Sequence, residues 1–548
     1  MLYKRAWNRI WLNNNLSQVR RCFTTINDSQ NVTGDPTFKE KRKDRIGLYE
    51  GSKKGSDSYF IGLSHSTLDF SLDGSEGENS ADKIMYDYTQ YCSSRETKLY
   101  KAIAFEDYNH DGAMGFGLQS AEFIHKGSTI FQVPRAATLS GKAFFALQSD
   151  DTARAVVQKS KEVADNAARG DKALANRLFQ TMLNAHMHVK LNRLGADGMH
   201  APYLKALPFH ELTMNHYWDK DTIIEIDSRT LIEELKGLAA LYHHLGQAFA
   251  EFEHTQYNMD EWHWAWNVSA SRFTILENTN EGYQSDPKYD SFITPLAEYL
   301  NHSFEPNVVL RHTKSATVFS EMDPMEKEKF RGTKVKGHEK VNIIECVAIK
   351  NIPIGEQLFI NYGEMGNLHL LQKFGFTLAD NPYSRVPFYY NAKKYAEMMG
   401  EEMELKFRLY QHTGIPHFMQ GFLFYKNKFD INIMKSLRIA FLTSDLVSEL
   451  TLDHLWNHET FENPISSTQE EIILNTILRE LEEALEPLEG KDYVSMRNNL
   501  GEFDSIRKVH KYNILNYQID EQMILKKNVR FVEKMRDEVL RQRRALAG

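Results

Sequence analysis

The chain has 548 residues, of which 42% are hydrophobic and 26% charged, enough to build the cores of two or more domains without disulfides or a structural metal. Its 66 basic and 74 acidic residues leave a formal charge of -8, which argues against nucleic acid as the main partner, because phosphate binding needs a net basic face. Cys22, Cys92 and Cys346 are too few for a four-thiolate zinc site or a disulfide framework, and no run approaches the ~18 apolar residues that a membrane span needs.

The amino terminus carries Lys4, Arg5, Arg9, Arg20 and Arg21, with no acid before Asp28. Tyr3, Trp7, Ile10 and Trp11 fall on one helical face and Arg5 and Arg9 roughly opposite, the composition of an organelle transit peptide. The tract Arg20-Arg21-Cys22-Phe23 resembles a mitochondrial processing site, so residues 1–23 are expected to be a mitochondrial transit peptide; a plastid address, or a basic tail on a cytoplasmic protein, are the alternatives. From there to residue 97 the chain is rich in Ser, Asp, Gly, Asn and Lys and reads as a flexible linker.

Strand character begins at Lys101–Phe105 and continues through Gly115–Leu118, Ala121–Ile124 and Ser128–Val133, short runs separated by glycine turns such as Asn109–Gly112. From about 140 to 273 the apolar spacing changes to three and four, clearest in Ala143–Leu191 and Leu231–Phe252, and predicts a helical insert. Within it, Pro202 and Pro208 bracket a stretch expected to be non-helical. Strand character returns at Asn307–Arg311 and Val341–Ile349, around a charged loop at 322–340. From Tyr389 to Ala547 the periodicity is almost entirely helical, clearest at Leu437–Leu450 and Ile472–Leu488.

Three segments carry chemistry. Gly115-Phe116-Gly117-Leu118 is, alone, a tight turn. Glu298-Tyr299-Leu300-Asn301-His302-Ser303 reads equally as a capped helix end, and Tyr362, in Gly355-Glu356-Gln357-Leu358-Phe359-Ile360-Asn361-Tyr362-Gly363, as a packed ring. Their order along one chain, with Phe374-Gly375-Phe376 following, is more specific than any one of them. In that order the chain resembles the SET methyltransferases typified by the Rubisco large-subunit lysine methyltransferase and the actin-histidine methyltransferase, from about Tyr100 to the carboxyl end.

The resemblance implies an α+β chain: a SET β fold at 98–385, with a pseudoknot between the Asn301 and Tyr362 segments and the helical insert at about 140–273. An all-α substrate-binding domain would follow at 386–548. It implies S-adenosyl-L-methionine as cofactor, no metal, and a protein substrate docked on the carboxyl-terminal helices. Tyr362 would be catalytic, orienting the acceptor amine. Gly115, Phe116, Gly117, Asn301 and His302 would hold the cofactor with Tyr362, and Phe374 would pack on its adenine. Arg272 would sit between cofactor carboxylate and substrate, a task suited to a guanidinium. Glu298 would contact substrate, where relatives usually have aspartate, and Met114 stands where they often have an acid. Lysine of a non-histone, mitochondrial protein is the expected acceptor. The order Phe273-Thr274 after Arg272 departs from lysine-directed relatives and keeps histidine open, and a catalytically silent scaffold is the third reading. His186, His188 and the alternating Trp262, Trp264 and Trp266 read as packing.

Overall fold

The computed structural model describes residues 59–63, 68–69, 81–108, 115–147, 151–168, 172–194, 198–207, 220–238, 259–277, 289–315, 341–388, 402–417, 422–501 and 505–547, with isolated positions between them. The expected transit peptide, the 109–112 turn, Met114 and the 322–340 loop lie outside these residues. Two compact units emerge, one from the described residues of 33–214 and 241–364, the other from those of 215–240 and 365–548. The boundary therefore falls at Glu364/Met365 rather than at 385/386, and the insert is shared between the units. The physical reason is apolar packing: Trp218, Ile226, Leu231 and Leu235 of the insert bury their side chains with Leu368, Leu371, Ile514 and Tyr517.

The first unit is built on two small antiparallel sheets. One has the order β2-β1-β4-β5, from β1 (Tyr59–Leu63), β2 (Leu68–Asp69), β4 (Ile103–Asp107) and β5 (Phe116–Ser120). The other has the order β10-β11-β6-β3, from β3 (Lys98–Leu99), β6 (Thr129–Pro134), β10 (Val308–Ser315) and β11 (Val341–Ala348). Ile343, Ile344, Cys346, Val347 and Ala348 of β11 are all buried, as expected for an inner strand covered on both faces. The expected strand Ala121–Ile124 does not form: the chain bends after Ser120, and only Ile124 makes a bridge, to Ile352. A hairpin of β7 (Phe273–Glu277) and β8 (Tyr289–Ile293) completes the antiparallel pairs.

Residues 352–360 lace this unit together. Ile352 exchanges backbone bonds with Ile124, Gly355 N donates to Ser120 O at 2.8 Å, and Leu358 N donates to Leu118 O at 2.7 Å. Immediately afterwards β12 (Phe359–Ile360) pairs in parallel with β9 (Asn301–His302). Asn307 locks the crossing, accepting from Phe359 N and donating to Gln357 O, each at 2.8 Å. This lacing is the threading that the resemblance implies.

Around the sheets pack α1 (Ala81–Ser94), α2 (Gly141–Leu147), α3 (Asp151–Ala168), α4 (Lys172–Leu194), α5 (Ala201–Ala206) and α6 (Met259–Arg272). Helix α1 corrects the reading of 24–97 as linker. Met85, Tyr88, Thr89 and Cys92 recur at three- and four-residue spacing and are all buried. Helix α5 corrects the non-helical reading of 201–208, because Pro202 sits in the first turn, where its missing N–H is not needed. His188 is satisfied within the core, its Nδ1 against Asn184 O and Ser269 Oγ and its Nε2 against Tyr203 OH, and Trp262, Trp264 and Trp266 are buried packing residues, as expected.

The second unit contains α7 (Asn367–Phe374), α8 (Met403–Thr413), α9 (Ile431–Ala440), α10 (Ser467–Leu485) and the long α11 (Ile506–Ala547). Ile473, Leu474, Ile477, Leu478, Leu481 and Leu485 form the buried stripe of α10 within one core. The unit is not all-α: β13 (Arg385–Phe388) and β14 (Phe422–Tyr425) pair antiparallel. Two expected helices are also shorter. Leu437–Leu450 breaks at Thr443, whose side chain caps a new helix at Ser444–Glu449, and the run at Ile472–Leu488 tightens into a 3-10 turn at Glu486-Pro487-Leu488.

Candidate active site

Eight of the nine residues singled out by sequence lie in the first unit: Gly115, Phe116, Gly117, Arg272, Glu298, Asn301, His302 and Tyr362. Phe374 belongs to the second unit, at the carboxyl end of α7 with Lys373 over its ring at 4.9 Å.

Strand β5 is preceded by Gly115 at φ +69°, a left-handed conformation that glycine takes without strain. Two residues on, Gly117 has no room for a side chain. A Cβ there would stand 2.4 Å from Gln357 Nε2, 2.7 Å from Asn301 Nδ2 and 2.9 Å from Tyr108 Cδ2. Two side-chain amides from distant parts of the chain thus converge on a glycine floor. Both nitrogens are buried without a hydrogen-bond partner, and they are the only side-chain amide nitrogens so placed among the described residues. Leaving a buried donor unsatisfied costs about 1–3 kcal/mol, which sets this pair apart from the other side-chain amide donors of the described residues.

Tyr362 follows directly from β12. Its hydroxyl donates to Leu300 O at 2.7 Å, its backbone N–H donates to His302 Nδ1 at 3.1 Å, and its ring stacks on the His302 imidazole at 5.1 Å between centroids. Burial pushes the phenol up to about 12, against the opposing pull of Arg272, so it keeps its proton at neutral pH. Burial also brings His302 down to about 4, which leaves a neutral imidazole able to accept from Tyr362 N.

Between α6 and β9 the chain makes a tight turn. Leu296 adopts φ +65°, which for a leucine stores ~1–3 kcal/mol of strain, and Ala297–Tyr299 form one turn of 3-10 helix. Arg272, the last residue of α6, donates from Nη1 to Glu298 O at 3.1 Å and lies over the Tyr299 ring at 5.4 Å. Burial alone would lower its guanidinium, yet Tyr299, Glu298, Tyr203 and Tyr362 around it raise it above the ordinary value. The Glu298 carboxyl is pushed up to about 7 by burial, against Arg272 and the Tyr88 hydroxyl, which favour its charge. Arg272 Nε and Glu298 Oε2 are further buried atoms with no partner in the protein. Among the described residues no cluster of three or more His, Cys, Asp or Glu could hold a metal ion, and no helix is long and apolar enough to cross a membrane.

Sequence reasoning passed over three contributors. Gln357 has no local signal and is revealed only by lying opposite Gly117. The Leu300 carbonyl is backbone, invisible to side-chain motifs. Tyr88 was legible from the spacing of α1 but was hidden by the polar composition around it.

The arrangement has known counterparts. Residues 115–363 match the SET domain family. Residues 115–363 carry the SET fold. The fold agrees with the solved SET domain of LSMT bound to lysine and AdoHcy, at TM-score 0.60 and 15% identity over 84% of this chain and 93% of that one. Rubisco LSMT bound to AdoMet aligns at TM-score 0.57 over 83% and 93%, with 15% identity. Among sequence relatives, the actin-histidine N-methyltransferase of Homo sapiens is 20% identical over 449 residues, 75% of this chain and 66% of that protein. The ribosomal lysine N-methyltransferase set11 of Schizosaccharomyces pombe is 24% identical over 184 residues, 33% and 39% respectively. The chain thus spans less than two thirds of the length of the curated relatives it matches. Within this unit Gly117 lies against Asn301, and His302 against Tyr362.

Proposed function

We propose that the chain is an S-adenosylmethionine-dependent protein methyltransferase that methylates lysine on a non-histone, mitochondrial protein. The observation that carries this reading is the pair of partnerless amide donors, Asn301 and Gln357, gathered at Gly117 beside a phenol held by the Leu300 carbonyl. Such donors suit a ligand rich in carboxylate, hydroxyl and ring-nitrogen acceptors, which S-adenosylmethionine is. The solved relatives that hold AdoMet or AdoHcy support the same ligand. The acid-free basic start at residues 1–27 supports the mitochondrial address, and docking of the protein substrate is assigned to the carboxyl-terminal helical unit.

When bound, S-adenosylmethionine supplies a sulfonium methyl open to in-line displacement by an amine. Asn301, Gln357, His302 and the backbone at Gly115–Gly117 would hold it, with Arg272 toward its carboxylate. The chain's other task is to present a neutral amine. At pH 7 only roughly one lysine in 2,500 is neutral at its ordinary pKa, and desolvation in a buried site raises that fraction. Tyr362 is not the base that removes the proton, because at about 12 its phenol is itself protonated. With its own hydrogen committed to Leu300 O, the oxygen keeps lone pairs that can accept from an amine N–H or face an electron-poor methyl. It therefore orients the acceptor, and orientation alone supplies several kcal/mol of barrier lowering.

A second acceptor is favoured by one observation. Phe273-Thr274 after Arg272 departs from the order in lysine-directed relatives, and actin-histidine methyltransferases are among the sequence relatives. Histidine is therefore the alternative product.

The test is calorimetric titration of the full chain with S-adenosylmethionine, followed by mass spectrometry of methylated peptides from mitochondria with and without the protein. Tyr362→Phe should lower methylation by ~10²-fold or more with cofactor affinity within about twofold. A chain that binds no S-adenosylmethionine would be a scaffold and not this enzyme. A fusion of residues 1–30 to a fluorescent protein that stays diffuse would remove the mitochondrial address.

A further inference from the structure

Tyr88 lies on α1, ahead of the matched SET segment, and its side chain is entirely buried. Its hydroxyl is used twice. It donates to Glu298 Oε1 at 2.6 Å and accepts from Leu296 N at 3.0 Å, so a single oxygen ties together both ends of the strained turn. The ring is wedged edge-on against Tyr299 at 5.4 Å and Phe105 at 6.2 Å, which leaves the hydroxyl no alternative direction. Leu296, at φ +65°, occupies a conformation that persists only when its surroundings impose it, and the Tyr88 hydroxyl is the group that holds its N–H.

What the turn carries makes the tether matter. Tyr299 N and Leu300 N donate back to Leu296 O and Ala297 O, so Leu296–Leu300 move as one piece. The carbonyl at the end of that piece, Leu300 O, is the acceptor for the Tyr362 hydroxyl, and the next two residues are Asn301 and His302. Arg272 grips the same piece through Glu298 O.

We propose that Tyr88 is a positioning residue for the reaction, fixing the 296–300 turn so that the Leu300 carbonyl aims the Tyr362 hydroxyl. The inference rests on the methyltransferase reading above and adds to it a part of the chain outside the matched domain. Tyr91 provides an internal control. It lies on the same helix with a buried hydroxyl, but that hydroxyl bonds His200 Nδ1 at 2.8 Å and not the turn.

The probe is S-adenosylmethionine carrying ¹³C in its methyl group, bound to the full chain and observed by NMR, with binding measured separately by calorimetry. Tyr88→Phe should bind it within about threefold of wild type. Its bound methyl resonance should move toward the position seen in Tyr362→Phe, and in the Tyr362→Phe background it should add no further shift. Tyr91→Phe should leave the resonance where wild type has it. A resonance unmoved by Tyr88→Phe, or moved as far by Tyr91→Phe, overturns the proposal. If Tyr88→Phe fails to fold, Glu298→Ala removes the acceptor end of the tether with the ring retained; the same directional shift supports the proposal and its absence overturns it. A wild-type chain that does not bind the probe at all refutes the functional reading first, and the tether with it.

Discussion

Side-chain amides are buried in both units, yet their nitrogens behave oppositely. In the helical unit Asn367 donates to Leu378 O at 2.9 Å and Asp520 Oδ2 at 2.6 Å, and Asn381 donates to Met365 O and Asn367 Oδ1, both at 3.0 Å. Asn513 accepts from both Thr377 N and Thr377 Oγ1 at 2.9 Å while donating to Gly375 O at 3.0 Å, and Asn528 donates to Ile524 O at 2.8 Å. Every one of these groups is finished by the protein itself. In the SET unit Asn307 and Asn184 are likewise finished, but Asn301 and Gln357 at Gly117 are not. Among amide nitrogens of the described residues the contrast is local to one glycine floor; in the helical unit an amide oxygen, Gln469 Oε1, is left without a partner. The finished amides hold the fold, and the proposed function gives the unfinished pair its partners in a bound cofactor.

The difference can be broken from either side. Asn513→Ala should have the largest effect, because it strands Thr377 N at about 1–3 kcal/mol and removes one bond each from Thr377 Oγ1 and Gly375 O at about 1 kcal/mol apiece, a loss of roughly 3–5 kcal/mol measurable by urea unfolding. The folded fraction should still bind S-adenosylmethionine within about threefold. Gly117→Ala comes next: its Cβ would displace the Asn301 and Gln357 amides, so affinity for S-adenosylmethionine should fall ~10- to 100-fold, with a stability loss of about 1–3 kcal/mol from the crowded floor. Asn301→Ala should weaken the same affinity by ~5- to 30-fold, and because it removes a donor that has no partner, stability should hold or rise slightly. A clear loss of stability in Asn301→Ala, as large as that in Asn513→Ala, would mean that the amide is structural after all.

The same contrast explains what the sequence could reveal. Glycines, Asn301-His302 and Tyr362 were legible because their order along the chain is more specific than any one of them, and the resemblance supplied the threading that periodicity cannot. Helix α1 could have been found from Met85, Tyr88, Thr89 and Cys92, but the serines, acids and glycines before it masked a four-position stripe. Pro202 misled because a proline that breaks a helix interior also starts one well. Gln357 was illegible for a deeper reason: a single polar residue acquires its meaning only from Gly117, 240 positions away, and no local pattern encodes that meeting. The transfer of 215–240 to the helical unit was hidden likewise, since an amphipathic helix shows that it has an apolar face and not which core receives it.

The smallest expected effect concerns the buried carboxyl beside the site. Asp520 of the helical unit is also raised by burial and accepts from Ser384 Oγ and Asn367 Nδ2, while Glu521 of that unit, like Glu298, is pushed up to about 7 and keeps an Oε2 with no partner in the protein. Glu298 titrates near 7 in the fold against an ordinary 4.5, so between those values the native state holds more protons than the unfolded chain. Stability from this group is therefore greatest below about 4.5, declines as pH rises toward 7 and is level above. His302 and His188, both brought down to about 4 by burial, have the opposite sign: the unfolded chain binds more protons between about 4 and 6.5, so their contribution rises with pH and partly cancels that of Glu298. Glu298→Gln removes one falling component and leaves those of the raised Glu521 and Asp520 and the rising histidine component unchanged. Denaturation measured from pH 5 to 6.5 should then show a more positive slope than wild type, by less than the ~1.4 kcal/mol per pH unit that one full proton would give. An unchanged slope would mean that Glu298 ionises at its ordinary value in the fold, and its unfinished oxygen would then be solvated in the native state and not held in reserve for a substrate.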